Sequence, residues 1–353
     1  MRRLRLTTAA MLTATTLLVG SLAGCGAANR PGGEAGDPGT SPKSPAPPPT
    51  WPLTGLPIAS GQHCAAKHPV YIAKIDNSSA SDPQYGLSKA DMVVEELVEG
   101  SYTRLAAMFY SKLPSKVGPL RSMRLTDVGV AKPVGAEIYA SGAAGPTYDG
   151  LRRGGITVHT FDYNAPGTQR LLDGSHDSLH SVVGDLKVLA KAEKRRRSAC
   201  PRDYFPWGSA SEFPGAQSAT QVDVRTSGTS SYGHSHWNYR KGAYHLSDSD
   251  SYQAPGDEFV ADTVITASLN VTYANYVDPS GAPVPISHFN GGGSAVIFHD
   301  GKAVRCQWHK KGEGGELTFT TKAGEPKVPA GHVWLHLIAR PGSIVSPGGV
   351  TFK

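Results

Sequence analysis

Asp91-Met92-Val93-Val94-Glu95-Glu96-Leu97-Val98 followed, one short turn later, by Thr103-Arg104-Leu105-Ala106-Ala107-Met108-Phe109-Tyr110 is the stretch that sets the fold. Two short apolar runs bounded by a Gly-containing turn read as neighbouring strands. Side chains alternate along a strand, which places Val94, Glu96 and Val98 on one face and Glu95, Leu97 and Glu99 on the other. Glu96 then stands between valines and is expected to be partly buried. A buried carboxylate needs a partner or holds its proton to higher pH. Arg104, just past the turn, is expected to pair with an acid on the neighbouring strand.

The pattern extends both ways. Val70 to Ile75 reads as a strand ending at Asp76-Asn77. Thr126 is expected to cap a short helix that stops before Pro133. Ala136 to Ala140, a helix beginning within Ser141-Gly142-Ala143-Ala144-Gly145-Pro146, and Ile156 to Phe161 give a βαβ-like order. Ser181 is expected to cap a helix that carries Val182, Val183, Leu186 and Leu189 on one face. That helix would end in Lys191, Lys194, Arg195, Arg196 and Arg197, where positive charge suits a C-terminus. From about Ala219 the texture changes to strands alone. Val264-Ile265-Thr266 and Leu269 to Tyr273 read as one longer strand. Ala295 to His299 and Ala303 to Trp308 read as a hairpin around Asp300-Gly301, a favoured turn pair. Leu317 to Thr321 and Val333 to Ala339 complete the set. The expected fold is an α+β, α/β-like N-terminal domain over residues 53–215, then a mostly antiparallel all-β C-terminal domain over residues 219–353.

The start of the chain carries an address. Arg2, Arg3 and Arg5 precede an uncharged, mostly apolar run from Leu6 to Leu22, and Leu22-Ala23-Gly24-Cys25 closes it. A basic start, an apolar middle and a small-residue exit make an export signal over residues 1–24. A cysteine at the exit resembles a bacterial lipobox, which implies acylation of Cys25 and a lipid anchor in the cell membrane, on its extracytoplasmic face. Residues 25–52 are rich in Gly, Pro, Ala, Ser and Thr and cannot bury a core, so a disordered tether is expected. Fully extended it would reach about 80 Å at ~3.1 Å per residue.

The whole chain has a formal net charge of +6. Loss of the three signal arginines leaves about +3, too mild to argue for nucleic acid as a partner. Three cysteines follow Cys25, and an oxidising compartment permits a disulfide with one thiol left over. Cys64 and Cys200 lie in loop-like segments and are the expected pair, with Cys306 free and buried in a strand; the alternative is no pair at all. His234 and His236 share a strand face, as do His332 and His336. Metal ligation needs three or more convergent ligands, so neither a metal nor any other cofactor is expected. No Gly-x-Ser-x-Gly elbow is present, which argues against a serine hydrolase of that class. Ser141 to Gly145 lacks the lysine that follows a true phosphate loop.

Chemistry concentrates in Gly86 to Arg124. Gly118-Pro119-Leu120-Arg121-Ser122-Met123-Arg124 reads as a helix opening with Arg121 and Arg124 on one side. Two guanidinium groups there suit phosphate or carboxylate. An anion site of Arg104, Arg121 and Arg124, with Glu96 or Glu99 as acid or base, is one reading. An internal Glu–Arg network that fixes the sheet is the other.

Several motifs are similar to the bacterial DUF3048 lipoprotein family. They are Pro52-Leu53-Thr54-Gly55-Leu56-Pro57, Lys74-Ile75-Asp76-Asn77, Gln84-Tyr85-Gly86-Leu87-Ser88-Lys89-Ala90-Asp91, Glu95-Glu96-Leu97-Val98-Glu99-Gly100, Thr103-Arg104 and Gly118 to Arg124. Asp300-Gly301-Lys302, Gln307-Trp308 and Ala330-Gly331-His332-Val333-Trp334 resemble that family's second domain. The resemblance implies two domains and a lipoprotein, and no settled activity. Ser178-Leu179-His180-Ser181 resembles the family's Pro-His-Asn region with Leu179 in place of proline, which makes His180 a candidate catalytic residue. The family's His-Ala-Gly after the fourth strand is Ala140-Ser141-Gly142 here.

These readings converge on a tethered lipoprotein that binds a cell-wall polymer or an envelope protein around Arg104, Arg121 and Arg124. The alternatives are a hydrolase of a phosphodiester or wall-linked substrate, with Glu96 or Glu99 as base and His180 as acid, and a structural scaffold of an envelope complex. Whether the chain is an enzyme stays open at this point.

Overall fold

The strands at the centre of the fold are buried on both faces, which is why they read as nearly continuous apolar runs. A computed structural model describes residues 48–66, 68–193, 199–228, 232–248 and 250–353. The first half supplies β1 (Tyr71–Asn77), β2 (Met92–Leu97), β3 (Thr103–Phe109), α1 (Asp127–Ala131), β4 (Glu137–Ala140), α2 (Gly145–Arg153), β5 (Val158–Thr160) and α3 (Leu186–Ala192). The second half supplies β6 (Gln221–Ser227), β7 (His234–Arg240), β8 (Ala243–Leu246), β9 (Thr263–Leu269), β10 (Val271–Val277) and β11 (Pro283–Ser287). It continues with β12 (Gly291–His299), β13 (Lys302–Lys310), β14 (Thr318–Thr320), β15 (Val333–Ala339) and β16 (Pro347–Phe352).

The fold is largely β. Ten of these strands form one sheet in the order β14-β13-β12-β9-β15-β2-β3-β1-β4-β5, and Gln217–Ser218 adds an eleventh beside β13. The two halves do not make separate sheets. β15 pairs in parallel with β9 on one side and with β2 on the other, from Met92 opposite Val333 to Glu95 opposite His336. Residues 48–353 accordingly form one compact unit. β6, β7, β8 and β16 make a second, four-stranded sheet.

Two apolar layers cover the large sheet. Ile72, Met92, Val94, Met108, Ile138 and Leu335 face one layer, closed by Val130, Leu151, Tyr204 and Phe289. Ala73, Val93, Leu105, Phe109 and Trp334 face the other, closed by Val222, Val224 and Trp237 of the second sheet and by Leu186 and Leu189. Fully burying one such aliphatic or aromatic side chain contributes roughly 1.5–3 kcal/mol before chain entropy is set against it.

The strand pattern of Val70 to Tyr110 forms as expected, as does the parallel β4–α2–β5 unit. The Asp300-Gly301 hairpin forms too. Both turn residues have positive φ (49° and 65°), the geometry a two-residue turn demands. Three expectations fail. Val182–Val183 is a short strand against Gln169–Arg170, and the helix begins only at Leu186. Its cap is Asp185, whose side chain accepts the N–H groups of Lys187 and Val188, not Ser181. Lys194 to Arg197 lie outside the described residues. Val264 to Tyr273 is broken at Asn270 into β9 and β10, which belong to different sheets. Thr126 precedes α1 as foreseen, yet its hydroxyl accepts the Ser287 N–H instead of capping the helix. Cys64 and Cys200 form a disulfide, and Cys306 is free and buried.

Candidate functional site

A cleft of about 370 Å³ opens at the end of β1, β2 and β3. Register builds its floor: Arg104 on β3 stands opposite Glu96 on β2 and Asp76 on β1. Asp76, Glu99, Tyr102, Arg104, Arg121 and His180 line it, with Asp278 and Ser280 on the facing side.

Gly118 to Arg124 is not a helix. It runs extended beside β1: Asp76 N–H donates to Pro119 O (3.0 Å), Arg121 N–H to Lys74 O (2.8 Å) and Leu120 N–H to Val182 O (2.6 Å). A segment whose backbone groups are taken up by a strand edge cannot also close helical turns. The two arginines therefore diverge. Arg121 enters the cleft, where its Nε lies 3.8 Å from Asp76 Oδ1 and its Nη1 donates to Leu179 O at 2.7 Å. Arg124 is buried and grips Glu99 with two donors, Nε to Oε1 at 2.6 Å and Nη2 to Oε2. Burial opposes the Arg124 charge, but Glu99 outweighs it and holds the guanidinium above its ordinary value.

Glu96 does not reach the cleft. It is fully buried and bonded to Lys74 Nζ, which also donates to Asp127 Oδ1 at 2.7 Å. Burial and the nearby Asp127 carboxylate push Glu96 up to about 7 in spite of Lys74. Its catalytic candidacy falls on access. Glu99 lines the cleft, but both its oxygens are taken by Arg124.

Arg104 is different. It is only 5% exposed, and no carboxylate lies within ion-pair distance of it among the described residues. The acid that the register sets opposite it on β2, Glu96, is held by Lys74. Arg104 Nη1 donates to Ser122 O at 2.8 Å, while its Nε is buried without a partner. Burial first, then the charges of Arg124 and Arg121, lower its guanidinium to about 9. Asp76 and Glu99 oppose this in part, and an anion in the cleft would add to their effect and offset the two neighbouring guanidinium charges.

His180 is held in a loop by Asp177, which accepts its backbone N–H at 3.0 Å and lies 2.8 Å from its Nδ1. Its Nε2 points into the cleft, 3.7 Å from Asp76 Oδ2. Asp76 also accepts the Ser78 hydroxyl. Of the residues singled out in the sequence, Glu99, Arg104, Arg121 and His180 line the cleft, and Glu96 and Arg124 do not. Sequence reading missed Asp76, Tyr102 and Asp278 as members. Asp76 had a signal, since it ends a strand within one of the quoted motifs. Asp278 had none, because it comes from a turn 200 residues away.

The paired histidines separate. His336 is buried on β15, with Nδ1 3.0 Å from Glu95 Oε2, and its Nε2 accepts the Trp237 indole N–H at 3.0 Å. Burial pushes Glu95 up, but His336 outweighs it and holds the carboxyl below the usual range. His332 precedes the strand and binds Asp262 instead. His234 and His236 do share a face.

Comparison with known proteins agrees with this architecture. The family described as "Protein of unknown function (DUF3048) N-terminal domain" matches residues 53–198, and its "C-terminal domain" counterpart matches residues 222–335. The chain belongs to the DUF3048 family. It is 25% identical over 303 residues to the "Putative lipoprotein YerB" of Bacillus subtilis (strain 168), covering 81% of this chain and 85% of that protein. The crystal structure of the Bacillus subtilis YerB protein has the same fold, with a TM-score of 0.68 at 21% identity over 86% of this chain and 99% of that one. The likeness to a protein named as a lipoprotein supports a membrane-anchored envelope protein. The Cys25 anchor itself, like all of residues 1–47, lies outside the described residues.

Proposed function

We propose that this protein is an extracytoplasmic lipoprotein, acylated at Cys25, whose cleft binds a phosphate or carboxylate group of an envelope polymer or envelope protein. Arg104 carries the reading: a buried guanidinium with a free donor and, among the described residues, no carboxylate at ion-pair distance is costly unless a ligand supplies the anion. Arg121 adds a second guanidinium at the rim. Arg124 acts through Glu99 by fixing the cleft wall. Titration of the full-length chain in detergent with inorganic phosphate and with a glycerol-phosphate polymer tests this. Binding should weaken at least tenfold in Arg104→Met and in Arg121→Met. Unchanged binding in the double variant, with the melting temperature retained, would overturn it.

One observation favours a second reading, hydrolysis of a phosphodiester. Asp177, His180 and Asp76 stand in line, so Asp76 could take a proton from water while His180 protonates the leaving oxygen. In that reading Asp76 replaces Glu96 and Glu99 as the base. Turnover of bis(p-nitrophenyl) phosphate that is lost in both Asp76→Asn and His180→Gln would decide for it.

A further inference from the structure

The outer face of the four-stranded sheet carries a second cluster, independent of the cleft arginines. Val222, Val224 and Trp237 point inward and are buried. Alternation therefore turns Asp223 on β6 and His234 and His236 on β7 outward together. The register sets Asp223 directly opposite His236. One ligand atom from each of the three lies within 4.8 Å of the other two. His236 Nε2 is 3.1 Å from Asp223 Oδ1, and the two imidazole rings lie 4.1 Å apart between centroids.

A fourth residue gives the cluster its direction. Asp250 Oδ2 lies 2.6 Å from His236 Nδ1 and also accepts the His236 backbone N–H at 3.2 Å and the Ser247 hydroxyl. With Asp250 holding Nδ1, Nε2 is the ring nitrogen directed towards Asp223, and a cation there would be met by its lone pair while Asp250 keeps the Nδ1 proton. That is the arrangement found behind metal-bound histidines.

We propose that Asp223, His234 and His236 form a binding site for a divalent transition metal of the zinc class, with Asp250 as the positioning residue behind His236. Two imidazoles and one carboxylate suit zinc, nickel or copper; calcium and magnesium favour all-oxygen sets. Three protein ligands leave one or more coordination positions open to water or to a donor from a bound partner. Arg225, the register partner of His234, is an adverse charge beside the cluster. The carboxylates of Asp223 and Asp250 outnumber it. The chain enters β7 through Tyr232, whose ring stacks on Tyr102 at the rim of the anion cleft with centroids 3.9 Å apart.

The test is zinc chloride titrated into the metal-free, full-length chain in detergent, in competition with a chromogenic chelator. One zinc per chain should bind, and His234→Ala and His236→Ala should each weaken it at least tenfold. Asp250→Asn should weaken it about tenfold with the stoichiometry kept. His159→Ala should leave it unchanged, although His159 lies between Glu137 and Glu193 in another compact group. Cobalt in place of zinc should give visible absorption bands that the two histidine variants lose. Failure to take up zinc from the chelator, or equal uptake by the His234→Ala/His236→Ala double variant at an unchanged melting temperature, would overturn the proposal. Neither result bears on phosphate binding in the cleft, so the two readings fail separately.

Discussion

His180 Nε2 stands 3.7 Å from Asp76 Oδ2, while its Nδ1 is fixed by Asp177 at 2.8 Å. This joins a loop histidine to the end of the central strand β1 beside the cleft that Arg104 also lines. His180→Ala removes the cleft-facing nitrogen from a partly exposed position, so the fold should persist. Phosphate affinity should fall by about tenfold, the range of one charge-assisted hydrogen bond. Calorimetric titration beside a melting curve checks both halves of the statement.

Lys74 holds two buried carboxylates, Glu96 and Asp127, in the interior of the sheet. Lys74→Met leaves both without their cation and should destabilise the protein by about 3–5 kcal/mol. Lys74→Met/Glu96→Leu should recover part of that loss. The urea midpoint reads the effect, and equal midpoints for the wild type and the single variant would show that the triad contributes nothing.

Glu96 titrates near 7 in the folded chain against an ordinary 4.5. Between those values the folded state keeps a proton that the unfolded state has lost. This group's contribution therefore favours folding at pH 5 and is withdrawn as pH rises through about 7. The withdrawal is on the order of 3 kcal/mol at 1.36 kcal/mol per pH unit. Glu96→Gln should remove that slope. Subtracting its unfolding free energy from that of the wild type at pH 5, 6 and 7 isolates the contribution from the charges that face it, Lys74, Asp127 and Arg124.

The Cys64–Cys200 bridge closes a loop of 136 residues in sequence. Replacing both cysteines by serine should lower stability by about 2–4 kcal/mol, measured by denaturant unfolding under non-reducing conditions. Cys306 behaves oppositely. Burial pushes its thiol up to about 12, so it should resist alkylation until the chain unfolds.

Cys25→Ala should move the protein from the membrane fraction to the soluble exported fraction, as read by fractionation and immunoblot. Retention in the membrane would remove the lipid anchor from the proposed function.

Local pattern determined much of this protein. Alternation in Met92 to Leu97 and Thr103 to Phe109 fixed strands and faces, and Asp300-Gly301 fixed a hairpin, because neighbouring residues alone decide which way a side chain points and which turns are open. Alternation along the strand also marked Arg104; His180 came from the family resemblance, and Cys64 and Cys200 were matched only as the two cysteines in loop-like segments. Partners across long sequence distances were decided only by tertiary structure. β15 inserts beside β2, so one sheet replaces two, since buried strand edges must be paired and no local signal names the partner. Lys74 claims Glu96 and Asp127, and Glu99 claims Arg124, which leaves Arg104 buried with no carboxylate at ion-pair distance among the described residues. Asp223 and Asp250 turn two strand histidines into a convergent cluster. Sequence set the chemistry each strand carries; the competition of buried charges for partners decided which of it was left free to bind.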